Sequence, residues 1–249
     1  MLTTSEFISL CKGVIFPKGS LLRELAKLSR GKRVRNRLSF AQTGEDILCS
    51  LFLPEEGLTY FDIGSGHPIH GSNTYLFYKQ GNSGLLIDPL EISRRLSRLL
   101  RPRDHFIKAV VKGTQSTEVT SVLYETYPYE YSTSNLEDLK DAMVLGAELL
   151  REHKSEVLTA EMIEKLAYLY HPHLVSIDIE GSDIEVLQGL TFSKFKPRVI
   201  CVEAKSSEER KVVSKLLSKH DYENVAFTAL SSIFVSNSYL LSSGMMKHF

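Results

Sequence analysis

Two acidic residues and two glycines are spaced as in a site for a nucleotide-like ligand. Asp62 lies near the end of a short apolar run, residues 59–63, which Gly64 and Gly66 follow directly. Asp88 ends a second apolar run further along the chain. Glycine allows a ligand to approach the main chain closely. The order strand, glycine turn, helix, strand and acid predicts that the turn faces the ligand and that Asp88 bonds ribose hydroxyls.

The ligand implied by these residues is a cation rather than a dinucleotide. Dinucleotide sites have a third glycine that opens a helix, whereas His67 and Pro68 follow Gly66 here. An NAD-dependent dehydrogenase would need that missing glycine. A carboxylate beside the glycines favours S-adenosylmethionine (SAM), which carries an ammonium, a sulfonium and a ribose but no phosphate. The alternative is that the glycines only make a tight turn and that both acids only cap their strands.

Acids stand at or near the carboxyl ends of four predicted strands, and they are Asp62, Asp88, Asp178 and Glu203. In a parallel sheet these strand ends meet at one edge, where ligands bind. Two of the acids could serve SAM. Asp178 and Glu203 could orient a hydroxyl group, take its proton, or hold Mg²⁺ or Mn²⁺ through oxygen ligands.

The elements that would position these acids form an α/β fold. Strands alternate with helices, which predicts a mainly parallel sheet with helices on both faces. We expect residues 105–111 to form a third strand, residues 135–170 to be helical, and residues 222–235 to form a closing hairpin. Residues 127–134 combine tyrosines with hydroxyl groups, which fits a sugar-binding wall and a packed surface loop equally well.

Composition excludes several classes of function. The 249 residues include 30 basic and 30 acidic side chains, so no net charge attracts nucleic acid or an anionic membrane. We find neither a long apolar run that would span a bilayer nor a signal peptide. The three cysteines are far apart and have no zinc-site spacing. These features predict a cytoplasmic protein without a disulfide framework.

Six segments together resemble the FkbM-type SAM-dependent methyltransferases. They are residues 40–46 (FAQTGED), 60–66 (YFDIGSG), 72–78 (SNTYLFY), 86–89 (LIDP), 175–189 (VSIDIEGSDIEVLQG) and 198–203. The resemblance implies a Rossmann-like class I methyltransferase fold with a seven-stranded sheet and an antiparallel last strand. It also implies O-methyl transfer to sugars, often in bacterial surface polysaccharides such as capsule or O-antigen, or to small natural products.

The resemblance also implies roles for individual residues. Asp178 would lie near the transferred methyl group, and Asp88 would bond the ribose. Val110 and Val111 would flank the adenine. The residues implied to bind SAM are Gln42, Asp62, Gly64, Ser65, Gly66, Ser72, Asn73, Thr74, Asp88, Pro89, Val110 and Val111.

The chain is expected to consist of an extension and one catalytic domain. Residues 1–38 form the extension, with a helix in residues 1–30 and a basic stretch at residues 30–37. The basic stretch is either a solvated connector or a surface for the phosphate of a nucleotide-activated sugar. Residues 39–249 form the methyltransferase domain, with a helical insertion at about residues 112–173 before the fourth core strand. The N-terminal helix either pairs subunits in a homo-oligomer or packs on its own sheet.

Methyl transfer to a sugar requires a group that removes the hydroxyl proton, because a sugar hydroxyl is a weak acid. The candidate bases are Asp178 and His67, with His70 a weaker one. Alternatively, Asp178 and Glu203 bind a metal ion that acidifies the hydroxyl. A non-catalytic SAM-fold subunit would show the same cofactor motifs without turnover, and it remains the alternative from another class.

Overall fold

The computed structural model of the chain describes residues 38–54, 56–113, 118–179 and 181–243. The predicted helix in residues 1–30 and the basic stretch at residues 30–37 lie outside these ranges. In the described part, the strands are β1 (Thr59–Ile63), β2 (Ser83–Ile87), β3 (His105–Ile107), β4 (Val110–Lys112), β5 (Thr120–Tyr127), β6 (Glu148–Thr159), β7 (Leu174–Ile177), β8 (Val199–Glu203), β9 (Tyr222–Phe227) and β10 (Ser231–Ser236).

The helices of the same ranges are α1 (Glu45–Ser50), α2 (Tyr75–Lys79), α3 (Glu91–Leu100), α4 (Leu136–Val144), α5 (Ala160–Tyr170), α6 (Asp183–Gly189), α7 (Ser207–Ser218) and α8 (Asn237–Ser243), with a short 3₁₀ helix at Tyr129–Tyr131. None of the helices in the described ranges is long and apolar enough to cross a membrane.

Seven strands form one sheet in the order β3-β2-β1-β7-β8-β10-β9. Strand β10 runs antiparallel to both of its neighbours, and the other neighbouring pairs are parallel. This topology confirms the predicted α/β fold with its antiparallel last strand and closing hairpin. Strand β1 lies between β2 and β7, so that Asp62 is opposite Leu86 on one side and Ser176 on the other.

The core is divided between the two faces of this sheet. Successive side chains of a strand point to opposite faces. Accordingly, Phe61 and Ile63 of β1 enter a cluster with α5, α6 and α7, whereas Tyr60 enters a cluster with α1, α2 and α8. Because helices cover both faces, polar functional groups are left to the ends of the strands.

The insertion before the fourth core strand is in the predicted place, but the prediction that it is helical was wrong in part. Helices α4 and α5 form there as expected, whereas Glu148–Thr159 is the twelve-residue strand β6. It pairs with β4 and β5 in a second sheet of order β4-β6-β5. Gly146, with φ of 94°, follows α4 and breaks the helical run, and pairing along β5 then outweighs the helix propensity of the next residues.

The predicted third strand is also divided in two. Strand β3 pairs with β2 in the main sheet, whereas β4 pairs with β6 in the second sheet. Lys108 and Ala109 separate the two strands. This change of sheet places Val110 and Val111 beside the carboxyl end of β2, where the functional cavity lies.

Candidate active site

A cavity of about 630 Å³ opens at the carboxyl ends of β1, β2, β7 and β8. This volume is typical of a small-molecule site. The predicted site residues in its lining are Gln42, Gly64, Ser65, Gly66, His67, Asp88, Pro89, Val110, Val111, Asp178 and Glu203. The sheet therefore gathers residues from distant parts of the sequence at the predicted edge.

The glycine turn after β1 is held against two neighbouring strands. The backbone N–H groups of Gly64 and Ser65 donate to the carbonyl oxygen of Ile87 at 2.8 and 3.1 Å. Gly64 and Gly66 have φ angles of 84° and 50°. A Cβ on Gly64 would lie 1.6 Å from the carbonyl oxygen of Asp178, so any side chain there would collide with backbone. The turn thus requires glycine because β1 and β7 approach so closely beside it.

Asp88 fixes the same turn through its carboxylate. The N–H of Gly66 donates to Oδ2 at 2.9 Å, and the N–H of Leu90 donates to Oδ1 at 2.9 Å. Burial raises the pKa of Asp88 to about 6, although these two hydrogen bonds oppose the rise. Each carboxylate oxygen can accept more than one hydrogen bond, so both can still accept from a ligand hydroxyl.

Ser65 supplies a polar atom without a partner in the described part of the chain. The residue is 5% exposed and lines the cavity, and its Oγ has no hydrogen bond among the described residues. Buried hydroxyl groups are normally satisfied. A ligand atom in the cavity would satisfy this one.

The wall near Asp88 is apolar. Val110 and Val111 of β4 form it together with Pro89, Leu90 and Ala109. These side chains are buried or nearly so, and they offer a surface on which a flat aromatic group could pack. A SAM-sized ligand therefore fits both the polar and the apolar residues at this end of the cavity.

Asp178 and Glu203 lie at the ends of neighbouring strands and both line the cavity. Asp178 directly follows β7, and its backbone N–H donates to the carbonyl oxygen of Ile63 at 2.9 Å. The residue is therefore held beside the end of β1. Glu203 pairs with Lys205, whose Nζ is 3.0 Å from Oε2. Lys205 also lines the cavity, and the sequence analysis did not identify it.

The predicted metal site gains no support from this donor set. One of its two carboxylates, that of Glu203, already contacts an ammonium group. In the ranges that the structure describes, no group of three or more His, Cys, Asp or Glu side chains is arranged to hold a metal ion. Among the residues that the structure describes, the donor set does not fit Mg²⁺ or Mn²⁺.

His67 is held as a hydrogen-bond donor rather than as a base. Its Nδ1 accepts the backbone N–H groups of Ile69 and His70 at 3.0 and 3.1 Å. A neutral imidazole whose Nδ1 accepts carries its hydrogen on Nε2. The ring stacks on Tyr129, with centroids 6.4 Å apart. In this orientation His67 presents an N–H group instead of a free lone pair.

The aromatic loop identified in the sequence lies at the cavity. Residues 128–134 all contribute to the lining, and Tyr129 packs against the ring of His67 and in one cluster with Leu90 and Val110. Backbone hydrogen bonds between Tyr124 and Thr133, at 2.9 and 3.2 Å, fasten the loop to β5. Of the two interpretations that the sequence left open, the position of the loop favours the ligand-binding wall.

Four predicted cofactor residues lie behind the lining rather than in it, and they are Asp62, Ser72, Asn73 and Thr74. Thr74 Oγ1 donates to Asp62 Oδ2 at 2.5 Å, and Asn73 Nδ2 donates to Ser176 Oγ at 3.0 Å. Burial raises the pKa of Asp62, while the positive charge of Arg101 lowers it. These side chains support the residues that face the cavity.

Arg101 joins this buried group, and the sequence analysis missed it. It is fully buried at the end of α3. The available signal was its position beside Pro102, with Asp104 three residues away. That signal is weak, because α3 contains three other arginines that are at least partly exposed.

Comparisons with known proteins support the expected class. A family model described as Methyltransferase FkbM domain matches residues 62–228. A comparison with curated proteins found no match.

Similar solved structures include a precorrin-6y C5,15-methyltransferase from Geobacter metallireducens, with 14% identity, coverage of 80% of this chain and 90% of that chain, and a TM-score of 0.42. Another is an O-methyltransferase from Bacillus cereus in complex with SAH, with 13% identity, 92% and 96% coverage, and a TM-score of 0.43. A TehB-like SAM-dependent methyltransferase from Corynebacterium glutamicum has 12% identity, 86% and 97% coverage, and a TM-score of 0.43.

Proposed function

This chain belongs to the FkbM methyltransferase domain family and is a SAM-dependent methyltransferase, and we propose that it methylates a hydroxyl group of a sugar or nucleotide-activated sugar. The observation that carries the proposal is the composition of the cavity. The glycine turn, Asp88, Asp178 and the tyrosine- and hydroxyl-rich loop all line it. Biosynthesis of a bacterial surface polysaccharide is the pathway class that such an acceptor suggests.

The end of the cavity near β2 would hold the cofactor. Asp88 would accept hydrogen bonds from the ribose hydroxyls, and Val110 and Val111 would pack against the adenine. Ser65 Oγ would gain the partner that it lacks among the described residues. When bound, SAM supplies a methyl group that is activated by a positively charged sulfonium.

Asp178 is the residue that we assign as general base. Asp178 lines the cavity next to Gly64, and its carboxylate would take the hydroxyl proton at an Oδ atom. His67 cannot take that proton while its Nδ1 accepts two backbone N–H groups. His67 would instead fix its own loop through these two bonds.

The aromatic loop supports a carbohydrate acceptor. Tyr131 gives the cavity aromatic surface, and Ser132, Thr133 and Ser134 place hydroxyl groups beside it. A sugar ring has apolar faces and polar edges, so rings next to hydroxyl groups suit both of its parts. Lys205 adds one cation at this end, where a phosphate of a nucleotide-activated sugar could bind.

The test is incubation of the purified protein with SAM and a panel of neutral glycosides and nucleotide-activated sugars, followed by mass spectrometry. We expect one member of the panel to gain a methyl group in place of a hydrogen. Binding of SAM by calorimetry without methylation of any alcohol in the panel, or of small hydroxylated natural products, would overturn the proposal and favour a non-catalytic subunit.

A further inference from the structure

Arg101 uses every hydrogen-bond donor of its guanidinium inside the protein. A guanidinium has five N–H groups. Nε donates to Asp104 Oδ2 at 2.6 Å, and Nη2 donates to the hydroxyl groups of Tyr60 and Thr74 at 3.0 and 2.9 Å. Nη1 donates to the carbonyl oxygen of Pro68 and to Ser72 Oγ at 3.3 and 3.2 Å. With 0% exposure, Arg101 is bound to protein groups on all sides.

These five acceptors belong to two separate parts of the fold. Tyr60 belongs to β1, and Asp104 belongs to the segment between α3 and β3. The Tyr60 hydroxyl also donates to the Asp104 carboxylate at 2.8 Å. Pro68, Ser72 and Thr74 belong to residues 66–74, which we call the 66–74 loop. Arg101 therefore joins this loop to β1 and to the segment that leads into β3.

The 66–74 loop has one side toward Arg101 and one side toward the cavity. Gly66, His67, His70 and Gly71 line the cavity, whereas Pro68, Ser72 and Thr74 contact the guanidinium. The cavity-lining residues and the Arg101-bound residues alternate along this short segment. A displacement of the Arg101-bound residues would therefore move the cavity-lining ones as well. The same link continues to Asp62, because Thr74 Oγ1 donates to its carboxylate.

We propose that Arg101 is a positioning residue for methyl transfer, which sets the 66–74 loop, and with it Gly66 and His67, against the bound cofactor and acceptor. This inference rests on the proposed function. Arg101 touches neither ligand site, because it lies outside the cavity lining and acts through the loop.

The surroundings of Arg101 explain why an arginine stands here. Burying a charge is unfavourable unless it is paired and fully hydrogen-bonded. Asp104, with a side chain 1% exposed, supplies the opposite charge, and the rings of Tyr60 and Tyr78 lie 5.4 and 5.3 Å from the guanidinium carbon. A lysine would keep the charge, but its three donors on one nitrogen cannot replace the five donors that the guanidinium spreads over the loop and the sheet.

The test compares Arg101→Lys with Tyr60→Phe as a matched control. Both variants lose buried hydrogen bonds that involve the Arg101 guanidinium. Only Arg101→Lys loses the guanidinium bonds to the 66–74 loop. We expect Arg101→Lys to raise the Kd for SAM by about tenfold to a hundredfold, as a displaced loop would. Hydrogen exchange of the Ile69 and His70 amides, which bond His67, should also become faster. Tyr60→Phe should lower the melting temperature and leave both measurements unchanged.

Equal melting losses in the two variants, with unchanged SAM affinity and unchanged exchange in the loop, would overturn the inference and leave Arg101 a purely structural residue. If Arg101→Lys does not fold, Ser72→Ala removes one of the three contacts between Arg101 and the loop, together with the acceptor of the Thr74 and Tyr75 N–H groups, and carries the same expectations. Failure of the wild-type protein to bind SAM would instead reject the proposed function. The exchange measurement would still decide whether Arg101 holds the loop, since it needs no ligand.

Discussion

The Asp88 carboxylate accepts the backbone N–H of Gly66 at 2.9 Å, so the second strand directly holds the glycine turn of the first. Through this bond one carboxylate shapes the turn and also faces the cavity. Its protonation state should therefore affect cofactor binding. The pH dependence of SAM affinity reports on this residue.

We predict that SAM binds more weakly as the pH falls through about 6, the value to which burial raises the pKa of Asp88. The charged carboxylate accepts ribose hydrogen bonds better than the protonated form does. Calorimetric titration should give a Kd about tenfold higher at about pH 5 than at about pH 7.5. Asp88→Asn should bind weakly at both values, and a pH dependence that persists in this variant would assign it to another group.

Protonation of Asp88 should weaken SAM binding but stabilise the fold, so the free energy of unfolding should fall as the pH rises. Because the folded pKa of Asp88 is raised, folding favours its protonated form, and its contribution to the free energy of unfolding is greatest below the pKa of the unfolded chain. That contribution is lost as the pH rises toward about 6. In urea unfolding, the stability of the wild-type protein relative to Asp88→Asn should fall as the pH rises from about 4 to about 6. A relative stability of the wild-type protein that rises over the same pH range would contradict the raised pKa.

Gly64→Ala should be strongly destabilising, by about 3 kcal/mol or more, because the added methyl group meets backbone and cannot move aside. The clash is with the carbonyl oxygen of Asp178, 1.6 Å from the ideal Cβ position. Gly81→Ala is the matched control, since Gly81 has a similar positive φ of 99° but nothing within 4 Å of an added Cβ. It should cost only about 1 kcal/mol, the usual strain of such a conformation. Equal losses in urea unfolding would show that β1 and β7 do not approach so closely.

Asp178→Asn should lower kcat by about a hundredfold or more and leave SAM affinity nearly unchanged. The asparagine keeps the shape of the side chain but cannot accept the hydroxyl proton. The measurement is the rate of methyl transfer to the acceptor that the panel identifies, with SAM binding followed separately by calorimetry. Retention of wild-type turnover would remove Asp178 as the base.

Turnover should stay within about twofold of its original value after treatment with a chelator, because the donor set around Asp178 and Glu203 does not fit a divalent cation. Glu203 already contacts Lys205 at 3.0 Å. The assay compares protein dialysed against chelator with protein supplied with Mg²⁺ or Mn²⁺. Loss of activity in chelator, restored by either ion, would reinstate the metal mechanism.

The sequence predicted the sheet and its acids well because both follow from local patterns. Short apolar runs ending in Asp62, Asp88, Asp178 and Glu203 can be identified without knowledge of distant contacts, and parallel pairing then brings their ends together. Glu148–Thr159 was different, because its charged and leucine-rich sequence favours a helix and only pairing with β5 makes it a strand.

The side chains behind the cavity could not be predicted for a related reason. Whether Ser72 and Thr74 face the ligand or the interior depends on where Arg101 lies, and that residue is distant in sequence from both. Likewise, the role of His67 depends on two backbone N–H groups that its own loop turns toward Nδ1. A motif identifies which residues surround a site, but the direction of each side chain comes from the folded backbone.

Tyr131→Ala should weaken binding of the acceptor without affecting SAM. Tyr131 is 40% exposed and lines the cavity, and with Glu203 and Lys205 it also lines a neighbouring hollow. Loss of an aromatic surface against a sugar ring should raise the acceptor KM by about tenfold. Tyr168→Ala is the matched control, because Tyr168 is 55% exposed on α5 and does not line the cavity. If both variants change the acceptor KM equally, or if Tyr131→Ala changes the Kd for SAM instead, the aromatic loop is not the acceptor wall.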